Sequence, residues 1–134
     1  MSVKVCKFGG TSMADGNVIK NVKNIIDSQA ERRFVVVSAP GKRYSDDIKV
    51  TDLLYSCYEQ LNVNGTCADA FKPIRARFTD IAKQLGLKLD IKAVLDETER
   101  RIEEENSEDF TASRGEYLSA RIVAEELGEV YRRA

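Results

Sequence analysis

Two apolar runs that read as strands, separated by one amphipathic helix, constrain this chain more than any other feature. Residues 34–40 (FVVVSAP) are continuously apolar and β-branched rather than alternating. Such a run suits a strand covered on both faces, and hence a parallel sheet flanked by helices. Residues 3–8 (VKVCKF) supply the other strand. Between them Val18, Ile19, Val22, Ile25 and Ile26 recur at helical spacing, while Lys20, Lys23 and Asp27 point away. Ser12, with Asp15 three residues on, has the form of a capping box opening that helix. A strand–helix–strand unit of this length closes as a right-handed crossover in nearly all cases.

The remaining chain reads as helices. Residues 40–47 form a polar loop, after which Val50, Leu53, Leu54, Cys57, Tyr58 and Leu61 mark the cleanest amphipathic pattern, closed at residues 62–65. A third helix, from about residue 66 to 85, carries Phe71, Ile74, Phe78, Ile81 and Leu85 and stops at Gly86. Pro73 either kinks it or marks its true first turn. A fourth covers residues 90–105, with Ile91, Val94, Leu95, Thr98 and Ile102 inward and a charged outer face with pairs such as Glu97 and Arg101. A fifth runs from Ser113 to about Leu127, with Leu118, Ile122 and Leu127 inward, and Gly128 ends it. Two strands are few for a sheet, and a parallel pair would leave an apolar edge that invites association. Residues 129–134 follow where an α/β protein would lay down its next strand, so the chain is expected to be the front part of a larger α/β fold.

Composition narrows the chemistry. Charged residues nearly cancel, leaving a net charge of −1, which is no footprint for nucleic acid or an acidic membrane. Cys6, Cys57 and Cys67 have no metal-ligand spacing and no histidine to join them, so a reducing cytoplasm is expected and no metal site is assigned; Cys57 reads as core packing. No run is long and apolar enough to span a membrane, and no signal peptide is evident. The complete absence of histidine removes Ser–His and Cys–His mechanisms.

The richest local pattern is Lys7-Phe8-Gly9-Gly10-Thr11-Ser12, where a strand ends in a lysine, two glycines, two hydroxyls and a helix. Glycines allow backbone amides to approach an anion, a helix start adds partial positive charge, and the lysine adds a full one. Lys7 would then neutralise charge on a transferring phosphoryl group. The plain alternative is a solvated lysine before a turn needing positive φ. The spacing is not that of a P-loop, since neither Gly10 nor Gly41-Lys42 completes the required pattern.

Four segments taken together go further. Residues 7–12 (KFGGTS), 34–42 (FVVVSAPGK), 50–54 (VTDLL) and 113–116 (SRGE) resemble, in order and spacing, the aspartate kinases of the amino-acid kinase family. The resemblance covers nearly the whole chain and corresponds to the N-terminal part of that family's catalytic domain. It implies an incomplete three-layer α/β/α fold over residues 1–134, lacking the nucleotide half and the regulatory ACT domains. It also implies transfer of a phosphoryl group from MgATP to the side-chain carboxylate of L-aspartate, the first step toward lysine, threonine and methionine. A carboxylate is already ionised at pH 7, so the missing histidine is no objection.

By the same resemblance Lys7, Phe8, Gly9, Gly10 and Ser12 contact ATP phosphate, with Lys7 catalytic, and Ser38, Thr51 and Glu116 hold the amino acid. Residues that orient Mg2+, receive adenine and pair with the substrate α-carboxylate are expected beyond Ala134, so the chain alone is expected to be inactive. Each assignment has a structural rival. Glu116 suits a substrate ammonium, but SRGE is itself a capping box that would place Glu116 at the third helical position. Thr51 could simply satisfy backbone groups in a first helical turn. Lys42 and Arg43 could attract an anion or lie solvated in their loop. Other acceptors (glutamate, N-acetylglutamate, carbamate) keep the fold and change the substrate, and a non-catalytic α/β interaction module is the rival of another class. Homo-oligomerisation or association through the open sheet edge is expected in either case.

Overall fold

A computed structural model describes residues 2–128 of the chain. It contains β1 (Lys4–Phe8), α1 (Gly16–Asp27), β2 (Arg32–Val37), α2 (Val50–Asn64), α3 (Ala68–Leu85), α4 (Ile91–Glu105) and α5 (Glu108–Leu127), with a 3-10 turn at Gly10–Met13. The two strands and five helices read from the sequence are all present. β1 and β2 pair in parallel, as the crossover requires. Residues 129–134 lie outside the described residues.

The core is built by the helices. α3 packs on α1, α2 and α4, and α5 packs on α2, α1, α4 and β2. Phe71, Phe78, Leu54, Ile74, Leu95, Ile102 and Leu118 are fully enclosed between them, and Met13 of the 3-10 turn joins the same cluster. Cys57 and Cys67 are buried free thiols in this core, in keeping with a packing role.

The sheet departs from the expectation of cover on both faces. Val5 pairs with Phe34 and Lys7 with Val36, so these four side chains share one face. On that face Val5 is 68% exposed, Phe34 56% and Val36 48%. The other face, with Phe8, Val35 and Val37, packs against the core. An apolar groove of about 610 Å³, lined by residues 33–37 and by Glu116, Tyr117, Ala120, Val123, Ala124 and Leu127 of α5, follows the β2 edge. The β-branched run of β2 thus carries more apolar surface than the described chain covers.

Helix starts differ from the capping-box expectations. Asp15, not Ser12, caps α1 by accepting from the Val18 N–H at 3.0 Å, while Ser12 lies inside the preceding 3-10 turn. Ser107 caps α5 through the Phe110 N–H at 3.2 Å, with Glu108 and Asp109 in its first turn. Ser113 and Glu116 are therefore mid-helical, and Glu116 is not a capping residue. Pro73 sits in the second turn of α3, neither at its start nor interrupting it. Ile25 stands 45% exposed rather than inward, because Ile19, Val22 and Ile26 already fill the buried stripe of α1. On α4, Arg100 bridges Glu97 and Glu104, and Arg101 pairs with Glu105 instead of Glu97.

Candidate functional site

The parallel strands deliver two turns to the same place. The Ser38 N–H donates to the Phe8 carbonyl at 3.1 Å, extending the β1–β2 ladder beyond the last paired residues. Beyond it, β1 enters the Gly10–Met13 turn and β2 runs into Ala39, Pro40 and Gly41. The two turns meet by backbone alone, with the Gly41 N–H donating to the Gly10 carbonyl at 2.8 Å. A Cβ on Gly10 would stand 3.0 Å from the Ala39 oxygen, and one on Gly41 2.9 Å from the Gly10 carbonyl carbon. Close approach, rather than positive φ, is therefore what requires glycine here; φ at Gly9 is −77°.

The loop after Gly41 is braced from within. The Arg43 guanidinium donates through Nε to Asp47 Oδ2 at 2.6 Å and through Nη2 to Oδ1 at 2.9 Å, and the Arg43 N–H adds a third bond at 2.9 Å. This fork holds the Asp47 carboxyl well below the usual carboxylate range, against the opposing effect of burial. Arg43 is thus committed to its own loop. The Pro40 carbonyl accepts from the Val50 N–H at 3.1 Å, which returns the chain to the first turn of α2 and to Thr51.

α5 closes the remaining side. A Cβ on Gly115 would fall 2.5 Å from the Ala39 Cβ, so the helix rests directly on the exit of β2. Its neighbours in the SRGE segment are placed around that contact. Ser113 donates to the Phe110 carbonyl at 2.6 Å, and Arg114 lies 4.2 Å from the centroid of the Phe110 ring and 4.6 Å from that of Tyr117. Glu116 is left exposed, near enough to Arg114 for the two charges to attract.

These elements enclose a polar cavity of about 390 Å³ lined by Gly10, Thr11, Ser38, Ala39, Pro40, Gly41, Lys42, Lys49, Thr51 and Glu116. It brings together four of the eight assigned site residues, Gly10, Ser38, Thr51 and Glu116, with Lys42, the loop lysine considered for an anion. The other four do not line it. Lys7 stands on the exposed sheet face, Phe8 packs against the core, Gly9 has open space where a Cβ would be, and Ser12 is half-buried in the 3-10 turn. Lys49 and Thr11 line the cavity and were not anticipated. Lys49 immediately precedes the VTDLL segment, so its position was readable, but no local pattern marked it as cavity-facing. Two lysines against one glutamate give the cavity a positive balance.

The amino acid kinase family model matches residues 2–130. The chain belongs to that family. Aspartokinase 3 of Bacillus subtilis (strain 168) is 45% identical over 85 residues, covering 63% of this chain and 19% of that protein. Among solved structures, aspartate kinase of Clostridium acetobutylicum superposes with a TM-score of 0.88 at 46% identity, over 92% of this chain and 29% of that one. E. coli aspartokinase III in complex with aspartate and ADP superposes at 0.71 with 27% identity, over 94% of this chain and 29% of that one. The chain thus spans about a fifth of the curated relative and less than a third of the solved structures. The mixed α/β start, a parallel β1–β2 pair followed by helices, is the amino-acid kinase arrangement expected from the sequence.

Proposed function

We propose that this chain forms the amino-acid half of an aspartate kinase site, in a protein that phosphorylates the side-chain carboxylate of L-aspartate with ATP to give 4-phospho-L-aspartate. The observation that carries the reading is the cavity in which Ser38, Thr51 and Glu116 converge on the Gly10–Gly41 backbone contact. In this reading Glu116 pairs with the substrate ammonium, and the Ser38 and Thr51 hydroxyls orient the amino acid. Lys42 and Lys49 match the excess negative charge of aspartate, which carries two carboxylates and one ammonium. Support also comes from E. coli aspartokinase III, whose structure holds aspartate and ADP and is 27% identical to this chain.

ATP phosphate belongs at the end of β1, where Lys7, Phe8, Gly9, Gly10 and Ser12 lie, with Lys7 stabilising the transferring group. The exclusion of side chains at Gly10 and Gly41 fits a cradle in which backbone comes close to an anion. Mg2+ is a different matter. Among the described residues no group of three or more acidic, cysteine or histidine side chains could hold a metal ion, and Mg2+ commonly takes one or two carboxylates together with the substrate phosphates. In this reading residues other than those described complete the nucleotide half, and the chain alone is inactive.

The protein would act in the cytoplasm, at the start of lysine, threonine and methionine synthesis, with no nucleic-acid or membrane partner. None of the described helices is long and apolar enough to cross a membrane. The exposed apolar face of β1 and β2 would be closed by association, including self-association. The direct test is trapping of acyl phosphate as hydroxamate, using the full-length protein with MgATP and aspartate, glutamate, N-acetylglutamate or carbamate. Turnover with aspartate alone is expected, and turnover only with another acceptor overturns the assignment.

A further inference from the structure

Arg77 occupies a core position on α3, between Ile74, Phe78 and Ile81, and is only 4% exposed. Removing a guanidinium from water is costly unless its donors are matched. Here the two terminal nitrogens are matched to backbone, while the buried Nε has no hydrogen-bond partner among the described residues. Nη2 donates to the Ala14 carbonyl at 2.7 Å and to the Gly41 carbonyl at 2.8 Å, and Nη1 donates to the Ile48 carbonyl at 3.2 Å. Asp47, already clamped by Arg43, lies 3.9 Å from Nη1 and adds a compensating charge. Burial nonetheless dominates and pushes the Arg77 pKa down.

The three carbonyls belong to three separate pieces of the cavity frame. Ala14 ends the turn that begins at Gly10, Gly41 follows β2, and Ile48 precedes Lys49 and Thr51. Arg77 itself does not line the cavity. We propose that Arg77 is a positioning residue of this site, whose guanidinium fixes the Gly10 turn, the Gly41 loop and the entry to α2 relative to one another. A planar fork with five donors suits three carbonyls arriving from different directions, whereas a lysine offers one point charge on a shorter reach. The kinetic consequence rests on the aspartate kinase reading; the structural consequence rests on the geometry alone.

The test compares Arg77→Met, Arg77→Lys and Ile102→Ala in the full-length protein, with aspartate as substrate at saturating MgATP. Ile102 is a buried residue of α4, a helix that lines neither the cavity nor its loops, so its variant controls for lost stability. Arg77→Met is expected to lower kcat/KM about 100-fold, with about tenfold of that recovered by Arg77→Lys. Ile102→Ala is expected to keep the wild-type value below its unfolding temperature. Arg77→Met within about twofold of Ile102→Ala, despite a comparable fall in Tm, overturns the proposal.

Amide exchange supplies a readout independent of activity and of whether Arg77→Met folds. In Arg77→Lys, protection of the Gly41 N–H should drop about tenfold or more while α4 amides are unchanged. Equal protection at Gly41 overturns the positioning role. A wild-type protein that fails to phosphorylate aspartate sinks the functional reading instead, and the exchange result still decides the part played by Arg77.

Discussion

The polar corner at the ends of β1 and β2 and the apolar face of the same strands make opposite use of one sheet. At the corner the contacts are polar and internal: Gly10 meets Gly41 by backbone, Arg43 forks Asp47, and Arg77 ties three carbonyls. A few residues away, Val5, Phe34 and Val36 stand exposed beside an apolar groove. The corner is thus fixed by short polar contacts that tolerate little change. The face is only partly covered by the described residues and should accept change more freely.

That contrast can be broken most directly at Gly41. Gly41→Ala would drive a methyl to 2.9 Å from the Gly10 carbonyl carbon, where only backbone could yield. A stability loss of about 3 kcal/mol is expected in thermal or urea unfolding, since overpacking against backbone cannot be relieved by a rotamer change. Gly115→Ala should behave similarly through its 2.5 Å approach to the Ala39 Cβ, but with a remedy. Ala39→Gly in the same chain should restore at least about 1 kcal/mol, and a double-mutant cycle with no coupling would show that α5 does not rest on β2 as described.

Glu116→Gln sharpens the comparison from the functional side. Because Glu116 is exposed and outside any cap, its loss should change stability by no more than about 0.5 kcal/mol. In the full-length enzyme, KM for aspartate should rise about tenfold or more as a charge-assisted contact is lost. A large stability change with an unaltered KM would return Glu116 to a structural role. On the apolar face, Val36→Lys should also leave stability within about 1 kcal/mol while lowering self-association in sedimentation velocity. Unchanged sedimentation in a self-associating protein would place that contact elsewhere.

The smallest effect is one of pH. Arg43 depresses the Asp47 pKa in the folded protein, so the stabilisation it provides is complete above the unfolded carboxyl value of 3.8. It is lost as pH falls through the lower folded value. Asp47→Asn should flatten the acid limb of stability against pH below about 4 and leave its shape between pH 5 and 8 unaltered. An acid limb identical to wild type would remove Asp47 from the loop's support.

What was legible in the sequence follows from how local each signal is. Helical and strand runs announced themselves by period, and a cap is readable when one candidate stands alone. Where two competed, the wrong one had the better pattern. SRGE has the form of a capping box, yet Ser107 caps α5, helped by Glu108 and Asp109 at the positive end of the helix. Ser12 likewise looked like a cap, but residues 10–13 had already closed a tighter turn and passed the role to Asp15. In the cavity, Gly10, Ser38, Thr51 and Glu116 were readable because they lie in recognisable segments. Arg77 was not, since a charged residue amid apolar helical positions carries no local trace of carbonyls supplied by other elements.

That distance has a consequence for the order in which the molecule takes shape. The carbonyls bound by Arg77 lie 29, 36 and 63 positions from it along the chain. Helices built from near neighbours form early, whereas contacts across such separations wait until the intervening loops have closed. The Gly10 turn and the Gly41 loop, already joined by backbone, therefore gain their tie through Arg77 only when α3 docks. The glycine-rich segment that follows β1 is thus among the last parts to become a site.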